Sequence, residues 1–149
     1  MRIYVDTSVV GGYFDREFSE ATAKFFERVE SGDLILVVSD LLETELERAP
    51  SLIRNHLATL PQKQIEIVQL SREAINLANE YIAEHVVGAT STADCQHIAI
   101  ATIARVDVLV SWNFKHIVNL KRIRGYNGVN LKNNYQMLEI RTPEEVLEI

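Results

Sequence analysis

The sequence predicts an α/β fold, a three-layer α/β/α arrangement around a mostly parallel central sheet, and three features carry that expectation. Short runs rich in Val, Ile and Leu recur along the chain, segments with apolar residues at helical spacing lie between them, and polar residues able to start helices stand at the junctions. Strands that alternate with helices need crossover connections, which make neighbouring strands parallel and put helices on both faces of the sheet.

The first strand is expected at Arg2–Val5, with Asp6-Thr7-Ser8 as the polar handover to a helix. In Ser19–Glu30, Ala21, Phe25, Phe26 and Val29 supply apolar contacts at helical spacing, and Gly32 stops the helix. A second strand is read at Leu34–Val38; Asp40 with Glu43 resembles a capping box opening the next helix, which Pro50 ends or restarts. After a third strand at Gln64–Leu70, Ser71 caps a helix whose stripe is Ile75, Ala78, Tyr81 and Ile82, with Gly88 following its end. Thr90, Ser91 or Thr92 caps a further helix running to about Arg105, and strands at Val106–Val110 and Leu138–Arg141 complete the sheet. Thr142-Pro143-Glu144-Glu145 then gives a strong start signal: a cap, a proline at the first helical position and a glutamate three residues after the cap.

With 149 residues, 47% of them hydrophobic and 24% charged, the chain has an ordinary globular composition and the size of one domain, expected to span residues 1–149. A chain of about 150 residues buries ~70% of its unfolded surface, enough for a sizeable core. One cysteine, Cys95, excludes an intramolecular disulfide, and MRIYVD lacks the basic and long apolar regions of a signal peptide, so a reducing cytoplasm is expected. No apolar run approaches the ~18 residues of a membrane span. The net charge of −6 argues against a surface that binds nucleic acid everywhere. Its distribution is uneven, however: Val108–Leu138 contains no Asp or Glu but holds Lys115, Lys121, Arg122, Arg124 and Lys132. This stretch reads either as a solvated loop region or as a local positive surface facing phosphates or an acidic partner.

Strand ends and the first turns of the helices that follow them gather along one edge of a parallel sheet, which is where such folds place their ligands. Asp6 after the first strand, Glu45 one turn into the helix after the second, Asp94 in the first turn of the helix near Thr90, and Asn113 in Ser111-Trp112-Asn113 all fall there. Four oxygen donors of this kind could hold Mg2+ or Mn2+, which prefer carboxylate and carbonyl oxygen, and such an ion activates water against a phosphodiester. Each residue also has a plainer role: Asp6 as a helix cap, Glu45 as part of an acidic face with Glu43 and Glu47, Asp94 as a partner of the helix dipole, Asn113 as a turn residue. Asp94 shares a helical face with His97, Ile98 and Ala101, so its carboxylate needs a cation or donors nearby. His97 and His116 read as structural histidines, and Cys95 as a small buried apolar residue.

Four segments, IYVDTSVV, VSDLLETEL, TADCQHIAIA and VLVSWNFKHI, together with the tail GYNGVNLKNNYQMLEIRTPEEVL, resemble PIN-domain proteins, similar to the VapC toxins of bacterial toxin–antitoxin pairs, in the family's order along nearly the whole chain. The resemblance implies magnesium- or manganese-dependent cleavage of RNA, a metal cluster of Asp6, Glu45 and Asp94, the hydroxyls of Thr7 or Ser8 beside it, and Asn113 where many members carry a fourth acid. An amide lends an oxygen but no charge, so the alternative is a catalytically weak or inactive PIN-fold module that binds RNA or a partner protein. Expected partners are RNA, held by Lys115, Lys121, Arg122 and Arg124, an antitoxin protein, and a second copy of the chain in a homodimer. Two other enzyme and binding classes fit less well. A phosphatase of the haloacid-dehalogenase type needs a second Asp where Ser8 stands, and a phosphate-receiver module needs adjacent acids after the first strand, where only Asp6 occurs.

Overall fold

The computed structural model describes residues 1–149 and contains a five-stranded, wholly parallel sheet in the order β3-β2-β1-β4-β5, formed by β1 (Arg2–Val5), β2 (Ile35–Ser39), β3 (Ile65–Val68), β4 (Val108–Val110) and β5 (Ile140–Arg141). Helices α1 (Thr7–Gly12) and α2 (Ser19–Glu30) connect β1 to β2, α3 (Asp40–Leu46) and α4 (Ser51–Ala58) connect β2 to β3, α5 (Arg72–Ala83) and α6 (Thr92–Ile103) connect β3 to β4, α7 (Leu120–Lys132) connects β4 to β5, and α8 (Pro143–Val146) ends the fold.

Side chains alternate across each strand, so the sheet divides the core in two. Tyr4, Val37, Leu109 and Ile140 face α5, α6 and α7, with Ala78, Tyr81, Ile98 and Tyr126 among their neighbours. Ile3, Val5, Leu36, Val38, Val108 and Val110 point the other way, against Val9, Phe25, Phe26, Leu42 and Val146. Near-continuous Val, Ile and Leu in β1, β2 and β4 is what burial on both faces requires. No helix is long and apolar enough to cross a membrane.

The α/β/α class and all five strands agree with the sequence, and α2 occupies the expected Ser19–Glu30. Gly32, with φ of 91°, takes the left-handed turn after α2 that a side chain would oppose. At the last helix the Thr142 hydroxyl and the Glu145 carboxylate satisfy each other's backbone N–H groups, the reciprocal capping box. Other boundaries move for identifiable reasons. Ser39, not Asp40, caps α3 by accepting the Leu42 N–H, while the Asp40 carboxylate accepts the Leu70 N–H across to the end of β3. Gly88 follows the end of α5 as expected, but the left-handed turn is made earlier, at His85 with φ of 61°, and Gly88 precedes a short 3-10 turn, Ala89–Ser91, that leads into α6. β5 is shorter than expected because both backbone groups of Leu138 bond to the side chain of Asn127.

The largest departure is α7, a helix of thirteen residues inside the acid-free stretch. Gly125, Gly128 and several asparagines lower its helix propensity, which is why it reads as a loop. Packing overrides that preference: a side chain at Gly125 would place its Cβ 2.7 Å from a methyl group of Val86, so the glycine lets the helix settle on its neighbour.

The chain first builds β1, β2 and β3 outward on one side and then crosses to β4 on the other, so the order reverses between β1 and β4. The crevice at such a reversal, beyond the carboxyl ends of the strands, is the position from which Asp6 and Ser111 project.

Candidate metal centre

Asp6 ends β1 and sits at the cap position of α1, yet its carboxylate bonds to none of that helix's free N–H groups. Instead Oδ1 accepts the Ser8 hydroxyl at 2.6 Å and Oδ2 accepts the Ser111 hydroxyl at 2.6 Å, the latter bridging the β1–β4 crevice. The helix-cap role is thus not the one its side chain fills. The two serines are themselves fixed, because Ser8 Oγ accepts the Trp112 N–H and Ser111 Oγ accepts the Asn113 N–H. At 4% exposure Asp6 is desolvated, and burial pushes its carboxyl above the usual range despite the opposing influence of His97 and both hydroxyls.

Asp94, half-buried in the first turn of α6, is also pushed up, by burial first and then by the negative charge of Asp6, with His116 and His97 opposing and Glu45 adding to the rise. Asp94 therefore feels the charge of both other acids although the three come from distant segments. Glu45 on α3 behaves differently. Burial raises its carboxyl, but a hydrogen bond and charge from His97 and a hydrogen bond from Thr7 outweigh that and hold it below its ordinary value. His97 Nε2 lies 2.5 Å from Glu45 Oε1, and the Thr7 hydroxyl donates to the same oxygen at 2.8 Å.

Behind His97 runs a buried relay. Tyr4, directed away from the Ile3 and Val5 face, has its hydroxyl 2.6 Å from His97 Nδ1 and 2.8 Å from Ser39 Oγ. The imidazole is thus held at both nitrogens, Nε2 by the carboxylate and Nδ1 by the phenol. Burial keeps the phenol protonated by pushing its pKa well above the usual range. Reading His97 as a structural histidine thus captures half of its role: it is enclosed, but it also ties α6 to Glu45 on α3. Tyr4 and Ser111 carry no role in the sequence reading, and Ser39 enters it only as part of the VSDLLETEL motif. The available signal was a hydroxyl-bearing residue at each strand end that would otherwise read as apolar.

Asn113 reads both as a metal ligand and as a turn residue, and its geometry is that of the turn: Oδ1 accepts the His116 N–H at 3.0 Å. His116 lies near enough to Asp94 to lower its carboxyl, and its Nδ1 has no hydrogen-bond partner. Cys95, expected to be a small buried residue, is fully enclosed; burial and the Asp94 charge push its thiol up to about 12, so it carries no thiolate at neutral pH. Among the basic residues suggested for RNA, Lys115, Lys121 and Arg124 are exposed, whereas Arg122 is half-buried with its guanidinium donating to the Val86 carbonyl.

In this arrangement no three His, Cys, Asp or Glu side chains converge closely enough to ligate one ion. The chemistry of the donor set nevertheless suits a hard divalent cation. The donors are oxygens, two of the three carboxyls are unfavourably charged where they lie, and neither a lysine nor an arginine pairs with Asp6, Glu45 or Asp94.

A family model described as PIN domain matches residues 3–114. No curated protein sequence gives a significant match. Among solved structures the chain is similar to VapBC2 from Rickettsia felis bound to a DNA fragment from its promoter, with a TM-score of 0.60 and 13% identity over 95% of this chain and 98% of that one. It is also similar to Mycobacterium tuberculosis VapC20, described as a sarcin–ricin loop cleaving toxin, with a TM-score of 0.59 and 13% identity over 76% of this chain and 91% of that one. The family match spans most of the chain and the parallel sheet is shared with the VapC structures: the chain belongs to the PIN-domain family and has a VapC-like fold.

Proposed function

We propose that this protein is a divalent-metal-dependent endoribonuclease, the toxin of a toxin–antitoxin pair, with Asp6, Glu45 and Asp94 as the residues that would hold Mg2+ or Mn2+. The observation that carries the reading is the pair of raised carboxyls, Asp6 at the end of β1 and Asp94 in the first turn of α6, the second pushed up in part by the charge of the first, with no lysine or arginine paired to either. Membership of the PIN family supports it, as does the likeness to VapC20, described as a sarcin–ricin loop cleaving toxin.

When bound, such an ion supplies charge neutralisation at the phosphate and activation of water. The protein's own groups then have separable tasks. Ser8 and Ser111 fix the orientation of Asp6, each through a hydroxyl locked by a backbone N–H. Thr7 and His97 orient Glu45, and Tyr4 holds the His97 ring in register. Outer groups that orient ligands in this way typically change metal affinity or activity by about 10–100-fold when removed.

The substrate is RNA, and the expected protein partner is an antitoxin, a reading that the structural likeness to VapBC2 supports. A homodimer is part of the same reading. A second reading, a PIN module with weak or absent activity that binds RNA or a partner, is favoured by one observation: the neutral Asn113 stands where an acid would add charge, and its oxygen is engaged by His116 N–H.

Cleavage of a labelled RNA in Mg2+ and Mn2+ separates the two. Asp6→Asn and Asp94→Asn should each lower the rate at least about 100-fold with the fold intact by circular dichroism. Cleavage by both variants at the parent's rate would remove these acids from the chemistry, and a parent that cuts no RNA in either metal would leave the binding module as the reading.

A further inference from the structure

The geometry points to Arg48 as a phosphate-binding residue for the RNA strand, acting from a cleft next to the acidic centre. This inference rests on the nuclease reading and adds to it a site for the substrate backbone. Thr7, Thr44, Glu45 and Arg48 line a cleft of about 390 Å3 that contains no hydrophobic side chain. Two of the four belong to the centre already described: Glu45 is a candidate ligand and Thr7 donates to its carboxylate. The cleft is therefore continuous with the place where a phosphodiester would react.

Arg48 is exposed in the turn after α3, where its backbone N–H bonds to the Glu45 carbonyl. Five other cations, Arg2, Lys24, Arg28, Lys132 and Arg141, are paired with carboxylates on this acidic protein. Arg48 is not, although Glu45 and Glu47 are close in sequence. The Thr44 hydroxyl is turned back to the Asp40 carbonyl, so the guanidinium is the group in this cleft with unused donors. A planar fork of N–H groups matches a phosphate oxygen pair, and beside a cluster of carboxylates it offsets the repulsion that a polyanion would meet on approach. The basic residues of α7 lack this placement, and Arg122 is already engaged by the Val86 carbonyl.

The test compares the parent protein with Arg48→Ala, Arg48→Lys and Lys63→Ala, the last removing one positive charge just before β3, at the opposite edge of the sheet. Steady-state cleavage of a short single-stranded RNA and its binding by fluorescence anisotropy are measured across a range of salt. Arg48→Ala should raise KM and Kd roughly tenfold at low salt with kcat within about twofold, and should lower the slope of log affinity against log salt by about 0.7. Arg48→Lys should restore the slope and part of the affinity, Lys63→Ala should match the parent, and all variants should melt with the parent because the changed groups are exposed. An unchanged KM, Kd and slope for Arg48→Ala beside an active parent would overturn the phosphate site and leave the nuclease reading standing. If the parent binds but does not cut, the anisotropy arm still decides Arg48 while the nuclease reading fails; if it neither binds nor cuts, both fail.

Discussion

The buried polar groups beneath α7 and the acids gathered at the carboxyl ends of the strands are satisfied in opposite ways. Under α7 every partner is neutral. Asn127 takes both backbone groups of Leu138, while Asn130 accepts the Tyr81 hydroxyl at 2.5 Å and donates to Thr102 Oγ1 at 3.2 Å. At the strand ends the groups are carboxyls, Asp6 buried and Glu45 and Asp94 half-buried; the donors to Asp6 and Glu45 are two serine hydroxyls, one threonine hydroxyl and an imidazole, and Asp6 and Asp94 are held above their usual protonation range. A complete neutral network favours one packing of α7 on α5 and α6, whereas an incompletely neutralised one stores unfavourable charge that a cation relieves. The difference marks which buried polar cluster is built for the fold and which for a ligand.

Isosteric exchange between amide and acid breaks the comparison from both ends. The largest effect is the loss of at least about 100-fold in RNA cleavage expected for Asp6→Asn and Asp94→Asn. Next comes Asn130→Asp, which changes one atom group at a fully buried position, removes the donor to Thr102 and encloses a charge. It should destabilise the protein by about 2–4 kcal/mol, read as a fall in denaturant midpoint and a drop in Tm of roughly 5–10 °C. A variant that melts with the parent would show that the α7 network is not what holds that helix. The smallest effect concerns the basic face of the same helix. Replacing Lys121 and Arg124 by alanine should flatten the salt dependence of RNA binding by at most about 1.4 in slope, two phosphate contacts, and no change would assign those residues to solvent or to a protein partner.

The two clusters were not equally legible in the sequence. The acids stood out because Asp6 and Asp94 directly follow or interrupt apolar segments and Glu45 lies one turn beyond another strand, so topology alone gathers them at one edge. The α7 network was hidden because glycine and asparagine favour turns locally, and their helical conformation here depends on partners more than a dozen residues away, Tyr81, Val86 and Thr102. Asn113 was ambiguous for a similar reason: the same side chain suits a metal or a turn, and only its distance to the His116 N–H distinguishes them. The Tyr4–His97–Glu45 relay joins three elements that are adjacent only after folding, so no spacing in the chain announces it. By contrast, the Thr142 capping box and the Gly32 turn are local, and local chemistry reads through directly.

The account's central claim is that the strand-end acids are mutually unfavourable until a cation joins them, and melting of parent and Asp6→Asn protein across pH, with and without Mn2+, tests it most directly. Raised carboxyls at Asp6 and Asp94 mean that the folded chain keeps their protons to higher pH than the unfolded chain, so stability falls as pH rises above the ordinary value of 3.8. Glu45, held low, contributes the opposite way: its stabilisation is present above its ordinary 4.5 and is lost as pH falls through its folded value. Without metal, the account predicts that Asp6→Asn melts above the parent at neutral pH and that the gap closes toward acid. Mn2+ should raise the parent's Tm, by an amount equivalent to about 2.7 kcal/mol at a hundred times its Kd, and leave the variant nearly unmoved. A variant that melts below the parent without metal, together with a parent whose Tm ignores Mn2+, would contradict it.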